Sequence, residues 1–495
     1  MAALYESAGC ELFINPHKMK RIVFLLVFFC LALSGGLPVA CAGAPPRPNP
    51  ITAYNPYTGQ TEPFYPYGWY IDDEDVNHAS FDKIGGNTLI VAVYSYDRVR
   101  QILDIVRSHD KKIIIAFRSP SYLLGVDPCD SNTYGGMKYY TDFAKNDPAL
   151  LGWLLGDENE WNFIGTAQEI VNSAYVLNNI LDGHHQVWQI FSGFDVQRAL
   201  PYLDGTTVYS MDAYPYHISW GEPNSFINVE WWQDCLYAMG QKAVEDGKSS
   251  ALLPQGFGNI DTEPIMVDWR LPTRREHRWQ VFSAIAATGS RGTINWLYNP
   301  EWYDANAPAF DNWLENVAKP VFAEQEMISH GMETGYNIGS VAVDWTNKAS
   351  DQSGGWVRPY DRVTQLLIYD DSVGRYFLIV TNNGPLSQNA QFTISNLSSS
   401  LSDMNSLVYD DANTGRTVAM TNSGGGSYRL TDTLQEFATV IYRINANPVN
   451  CMQARARQGG IAGDLNGDCY MNFADFAVFA QDWAHCVDTQ GLNCL

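Results

Sequence analysis

The sequence predicts an α/β protein: a (β/α)8 barrel (TIM barrel), followed by an antiparallel β-sandwich and a small C-terminal module. Three observations lead there. Between Tyr67 and about Gly331, short β-type runs alternate with amphipathic helices through eight units, which is the grammar and size of such a barrel. Beyond Gly331 the helical period disappears, and short strands are separated by Gly, Asn, Ser and Asp clusters. Residues 461–495 then carry an oxygen-rich loop of their own.

Taken in order, Lys18, Lys20 and Arg21 precede an apolar run from Ile22 to Leu33, with small residues at Ala40, Ala42 and Ala44. That order reads as a secretory signal peptide over residues 1–44, with Met19 as its natural start. The run is too short for a comfortable membrane span, so no transmembrane segment is expected. Cys41 after Leu37-Pro38-Val39-Ala40 resembles a lipoprotein attachment site, but Pro38 stands where that pattern has an aliphatic residue. The expected location is therefore secreted, cell-surface or periplasmic, without a lipid anchor. Residues 45–63 read as a connector.

The barrel is expected over residues 64–332. Its strands are Tyr67–Ile71, Thr88–Tyr94, Lys112–Phe117, Leu151–Leu155, Gln186–Phe191, Thr207–Met211, Ala251–Gln255 and Thr293–Leu297. Between them, Val99, Ile102, Leu103 and Val106 fall on one helical face. Thr273 and Glu276 are spaced as a capping box for a helix that stops near Gly289. A doubly wound sheet is the alternative arrangement, but no Gly-rich phosphate loop follows the first strand. Hairpin patterns such as Leu366–Tyr369, a turn at Asp370–Gly374 and Tyr376–Val380 place the sandwich over 333–445, with a polar connector at 446–460.

In the tail, Asp464, Asn466, Asp468, Tyr470, Asn472 and Asp475 occupy positions 1, 3, 5, 7, 9 and 12 of a twelve-residue loop. This spacing gathers side-chain oxygens and the Tyr470 carbonyl around one point, as a Ca²⁺ ion requires. Cys451, Cys469, Cys486 and Cys494 lie in the same region, where an oxidising exterior would let disulfides brace a small module. Gly463-Asp-Leu-Asn-Gly-Asp468 followed by Asn472-Phe-Ala-Asp-Phe476 resembles one half of a type I dockerin repeat. The resemblance implies bound Ca²⁺ and attachment to a cohesin-like or cell-surface partner. Cys469 replaces the turn glycine of that pattern, and no second repeat follows Trp483.

The charge balance narrows the function. With 31 Lys+Arg against 54 Asp+Glu and a net charge of −23, the chain is a poor partner for nucleic acid or an anionic membrane. Aromatic residues make up 13% of the chain, including 15 Trp and 28 Tyr, more than a core of this size needs. A barrel's active site lies at the C-terminal ends of its strands. There the fourth strand delivers Asp157, Glu158 and Glu160, and the sixth delivers Asp212, Tyr214 and Tyr216. The third ends at Arg118, the seventh at Gln255, and the eighth at Asn295, Trp296, Tyr298 and Glu301.

Paired carboxyls, one protonated and one ionised, are what glycosidic cleavage needs, and sugar rings stack on Trp and Tyr. The run Gly152-Trp-Leu-Leu-Gly-Asp-Glu-Asn-Glu-Trp161 resembles the fourth strand of secreted clan A glycoside hydrolases, including bacterial relatives with a "GW-DE" fourth strand. The resemblance spans the barrel and implies Glu158 as proton donor, with Asp157 where the clan has Asn. The clan's strand-seven nucleophile is a Glu, where this chain has Gln255, so Asp212 becomes the expected partner. Trp161, Tyr214, Tyr216, Gln255, Trp296, Tyr298, Trp302 and Arg118 are the expected sugar contacts, and catalysis needs no cofactor. The expectation is an exported enzyme cleaving glycosidic bonds of an extracellular polysaccharide or oligosaccharide. A non-catalytic carbohydrate-binding barrel and a surface-assembly component are the alternatives.

Overall fold

The computed structural model describes residues 47–93, 96–117, 135–162, 166–193, 195–216, 229–258, 269–299, 307–335, 339–350, 360–412 and 415–447, with 453, 476, 477 and 480. The leader and Cys41, Arg118, Trp302, and the loop from Asp464 to Asp475 lie outside these residues, as does the side chain of Trp161. No helix among the described residues is long and apolar enough to cross a membrane.

All eight expected strands form. They are β3 (Tyr67–Asp72), β4 (Thr88–Val93), β5 (Lys112–Phe117), β6 (Leu150–Asp157), β7 (Gln186–Phe191), β8 (Val208–Met211), β9 (Ser249–Leu252) and β10 (Thr293–Tyr298). Each pairs in parallel with its neighbour, and β10 returns to β3 to close the barrel. The strands read as apolar runs because both faces are covered. Tyr70, Ile90, Ile114, Leu154, Trp188 and Ile190 fill the interior. Trp69, Leu89, Val91, Ile115, Trp153 and Leu155 face the surrounding helices, where Val99, Ile102, Leu103 and Val106 meet them.

The helix Arg274–Thr288 carries the expected capping box at Thr273 and Glu276, and ends on Gly289 in the left-handed conformation at φ 72°. Residues read as a connector before the barrel instead form an antiparallel hairpin, β1 (Thr52–Asn55) with β2 (Gln60–Pro63). Ile51, beside it, is buried among the interior residues. The Thr52 N–H donates to Gln186 Oε1 at 2.9 Å and Ser249 Oγ donates to the Pro50 carbonyl at 2.9 Å. Gln186 and Ser249 begin β7 and β9, so the hairpin stoppers the N-terminal end of the barrel.

The second region holds β11 (Ser340–Trp345), β12 (Val363–Asp370), β13 (Arg375–Asn382), β14 (Gln388–Ser395), β15 (Asn405–Tyr409), β16 (Thr417–Gly424), β17 (Ser427–Leu434) and β18 (Thr439–Asn445). They run antiparallel in the order β11-β14-β17-β16-β15-β18-β13-β12. Strand β16 pairs with β15 through its first residues and with β17 through its later ones, so the sheet folds over into a sandwich. Trp345, Leu378, Val380, Phe392, Val408, Leu430 and Tyr442 form its core.

The outward residues Leu366, Ile368, Phe377, Ile379 and Ile441 join the hydrophobic layer of the barrel helices. At that seam Arg278 is fully buried. It pairs with Glu324 at 2.6 Å and Asp411 at 2.7 Å, and donates to the carbonyls of Thr439 and Tyr409. A desolvated guanidinium is tolerable only with its donors engaged in this way.

Candidate active site

Strand β6 carries the central feature. Leu154 sits opposite Trp188 of β7, but Asp157 sits opposite Ile190, so β6 holds one extra residue between them. Such a bulge bends a strand end and re-aims its side chains. Gly156 lies in the bulge because a Cβ there would collide with the Asn159 amide. Glu158 then takes a left-handed conformation, φ 53°, with its N–H on the Ile190 carbonyl at 3.0 Å. A non-glycine residue held at positive φ costs backbone energy, and such strain concentrates at functional sites.

Asp212 comes from the other side, directly after β8. It is 3% exposed, and its N–H donates to the Phe191 carbonyl at 3.1 Å. Burial pushes its carboxyl well above the usual aspartate range, and the charges of Glu158, Asp157 and Glu160 push it further. Glu160 is positioned by β7's end: its Oε1 accepts from the Ser192 N–H at 2.8 Å and from the Ser192 hydroxyl at 3.3 Å. Burial raises its carboxyl too, with Glu158 adding to the effect. The Tyr214 phenol is raised by burial and then by Asp212, Asp157 and Glu158. The expected residues Asp157, Glu158, Asp212 and Tyr214 therefore share one electrostatic neighbourhood. Asn159 beside them is completely buried, and neither amide atom has a partner among the described residues.

Aromatic rings border this group. The Tyr214 ring meets Phe257 edge-on at 4.7 Å and Trp269 at 5.7 Å. Trp296 is half-buried at the barrel interior, edge-on to Tyr70 at 4.4 Å. Three expected sugar contacts are placed differently. Gln255 is fully buried, and its amide donates to the Phe257 carbonyl at 3.1 Å and the Arg270 carbonyl at 2.8 Å while accepting from the Tyr216 N–H at 3.4 Å. Tyr216 is buried beneath the Arg270 guanidinium, which lies 5.1 Å from its ring centroid. Tyr298 is buried between Trp69 and Phe310, in the layer between barrel and helices, and burial there pushes its phenol up to about 12. Strand alternation and the bulge in β10 between Asn295 and Tyr298 account for this, since a shifted register turns alternate side chains to the other face.

Sequence reasoning named Glu160 without a role and missed Phe257 and Trp269. Their positions depend on where separate loops return, and no local pattern encodes that. Among the described residues, one His/Asp group has ligand atoms within 4.8 Å of one another: His330, Asp370 and Asp371. It lies on the helix Lys319–Thr334 and the β12–β13 turn rather than at the carboxyl cluster.

No family model matches the chain, and no curated protein matches it. Among solved structures it is similar to AbfB, a family 51 α-L-arabinofuranosidase from Bifidobacterium longum. The identity there is 10%, over 80% of this chain and 98% of that chain, with a TM-score of 0.46. It is also similar to a glycoside hydrolase family 5 protein from Bacteroides vulgatus, at 13% identity over 78% and 91% of the two chains and a TM-score of 0.44. CelM2, a bifunctional glucanase-xylanase from a metagenome library, has 12% identity over 81% and 98% and a TM-score of 0.41. Likeness at this level transfers neither a reaction nor a substrate.

Proposed function

We propose that the chain is a glycoside hydrolase acting on an extracellular polysaccharide or oligosaccharide, with Asp212 and Glu158 as its acid/base pair. The observation that carries this reading is the buried Asp212 carboxyl, set at the C-terminal end of the barrel beside Glu158, Asp157 and Glu160. Burial and like charge push the Asp212 carboxyl well above the usual aspartate range and so favour its protonated form. Two carboxyls whose environments push their proton affinities apart can divide the work, one giving the leaving oxygen its proton and the other acting as base or nucleophile. That division gives the resting proton to Asp212, where the sequence resemblance gave it to Glu158. Glu158, half-buried on its strained turn, is then the group that acts as base or nucleophile. Export through residues 1–44 and Ca²⁺ binding by the loop from Asp464 to Asp475 are proposals resting on the sequence motifs.

The test is hydrolysis of a panel of plant and algal glycans by the purified protein, with product analysis and pH profiles. Glu158→Gln is expected to lower turnover by about 10² to 10⁴ while glycan binding survives. Near-wild-type turnover in Glu158→Gln would remove the assignment. One observation favours a second reading, a barrel that binds glycans without cleaving them: Gln255 at the end of the seventh barrel strand is walled into the protein by its own hydrogen bonds. Glycan binding with no hydrolysis across the panel would establish it.

A further inference from the structure

Glu160 is a largely buried acid to which the chemistry above gives no part. It stands just beyond Glu158, in the short helix Asn159–Asn162 that follows β6. Its Oε1 accepts from both the N–H and the hydroxyl of Ser192, whereas its Oε2 is buried with no hydrogen-bond partner among the described residues. Burial raises the carboxyl, and the Ser192 bonds work against that rise. A half-satisfied buried carboxyl costs stability that a well-packed apolar side chain would not. Packing alone therefore does not account for an acid at this position.

The anchor shows what the acid does. Along a parallel strand, the carbonyl of one residue and the N–H two residues further on point toward the same neighbouring strand. On β7 these are the Ile190 carbonyl, which accepts from the Glu158 N–H at 3.0 Å, and the Ser192 N–H, which donates to Glu160 Oε1 at 2.8 Å. A side chain thus supplies the next rung of the ladder, where the backbone after β6 has already turned away. Between the two, the Phe191 carbonyl accepts from the Asp212 N–H at 3.1 Å. Three consecutive residues at the end of β7 therefore carry Glu158, Asp212 and Glu160.

The turn is fastened on its other side as well. The Asn159 side chain is completely buried, and its amide lies 2.3 to 2.7 Å from where a Cβ on Gly156 would stand. Glu158, at φ 53°, sits between these two fastenings. A non-glycine residue persists in that conformation only where its surroundings hold it there.

We propose that Glu160 is a positioning residue: its reach to Ser192 splints the strained turn that carries Glu158 onto the end of β7, and so fixes Glu158 relative to Asp212. The effect on catalysis rests on the acid/base reading above, whereas the splint is a property of the turn itself.

Reach and charge at this position can be varied apart. Glu160→Gln keeps an oxygen within reach of Ser192 without the charge, Glu160→Asp keeps the charge on a shorter side chain, and Glu160→Leu keeps neither. With the panel glycan that the wild type cleaves fastest, kcat is expected to fall about 10²-fold in Glu160→Asp and Glu160→Leu, the scale of a misplaced catalytic group. KM should stay within about threefold, and Glu160→Gln should bring kcat back to within about tenfold of wild type. Amide hydrogen exchange, followed by mass spectrometry, reads the splint without any substrate. Exchange at Glu158 and Ser192 is expected to be about tenfold faster in Glu160→Asp and Glu160→Leu than in the wild type and Glu160→Gln. Thermal midpoints confirm that each variant is folded. Near-wild-type kcat in both Glu160→Asp and Glu160→Leu, a loss in Glu160→Gln as deep as in Glu160→Leu, or a Glu158 amide indifferent to the substitutions would each overturn the splint. If the wild type cleaves nothing on the panel while the exchange pattern holds, the hydrolase reading fails and the splint stands; hydrolysis with an indifferent Glu158 amide gives the reverse.

Discussion

Asp182 and Asp212 are both aspartates, both nearly inaccessible at 4% and 3% exposure, and they sit at opposite ends of the same barrel. Burial drives both carboxyls upward, yet their net shifts run in opposite directions. At the N-terminal end, Asp182 accepts from the Trp153 indole at 2.8 Å, the His185 ring at 2.7 Å and the His184 N–H at 3.0 Å. These bonds overturn the burial effect and hold it below the usual aspartate range. At the C-terminal end, Asp212 is faced by Glu158, Asp157 and Glu160, and is held well above it. The difference teaches that, at equal burial, the partners decide which way a carboxyl is shifted. One end of the barrel is organised for stability, and the other disfavours the charged form of its carboxyl at the expense of stability.

The comparison is broken most decisively at Asp212. Asp212→Asn is expected to reduce glycan turnover by about 10² to 10⁴ and to remove the alkaline limb of the pH–rate profile. It is also expected to raise the midpoint of chemical denaturation at pH 7. The sign follows from linkage: a carboxyl raised on folding favours the folded state below the unfolded value near 3.9, and that advantage is lost as pH rises through the folded value. Unchanged turnover, or a lower midpoint in Asp212→Asn, would contradict the reading.

A buried base supplies the next largest effect. His277, on the helix Arg274–Thr288, is completely buried, and burial pushes it down to about 4, with the Gln255 backbone acting weakly the other way. A base depressed on folding contributes stability that is present above its unfolded value near 6.5 and is lost as pH falls toward 4, amounting to about 3 kcal/mol. Denaturation of wild type and His277→Gln between pH 7 and pH 4.5 checks this: the wild type should lose more stability over that interval than the variant.

Smallest is the mirror change at the stable end. Asp182→Asn is expected to cost about 1–3 kcal/mol at pH 7, because the His185 and Trp153 donors lose their charged acceptor. Asp182 is depressed on folding, so its contribution is present above the unfolded carboxyl value and lost as pH falls through the folded one. The penalty of Asp182→Asn should therefore shrink on acidification, and a penalty independent of pH would show that packing rather than charge is at work there.

These aspartates also mark what sequence could convey. The eight barrel strands are legible because parallel strands covered on both faces read as apolar runs, and the capping box at Thr273 is local chemistry. Glu158 and Asp212 are legible as strand-end carboxyls once the barrel is drawn. The hairpin at Thr52–Pro63 is hidden, since its short strands lack apolar alternation and depend on Gln186 and Ser249 for their place. Gln255 is visible as a departure from the resembled clan, whereas its three hydrogen bonds to returning loops are not.

The seam around Arg278 has a consequence for how such chains could be recombined. Leu366, Ile368, Phe377, Ile379 and Ile441 belong to the same hydrophobic layer as the barrel helices, and Arg278 draws acceptors from both sides. Excising the sandwich would bare that greasy surface and strand a desolvated cation. The smallest transplantable cassette is therefore barrel plus sandwich, inherited or engineered together, and a chimera that exchanges only the sandwich must carry counterparts of Asp411 and the two carbonyls with it.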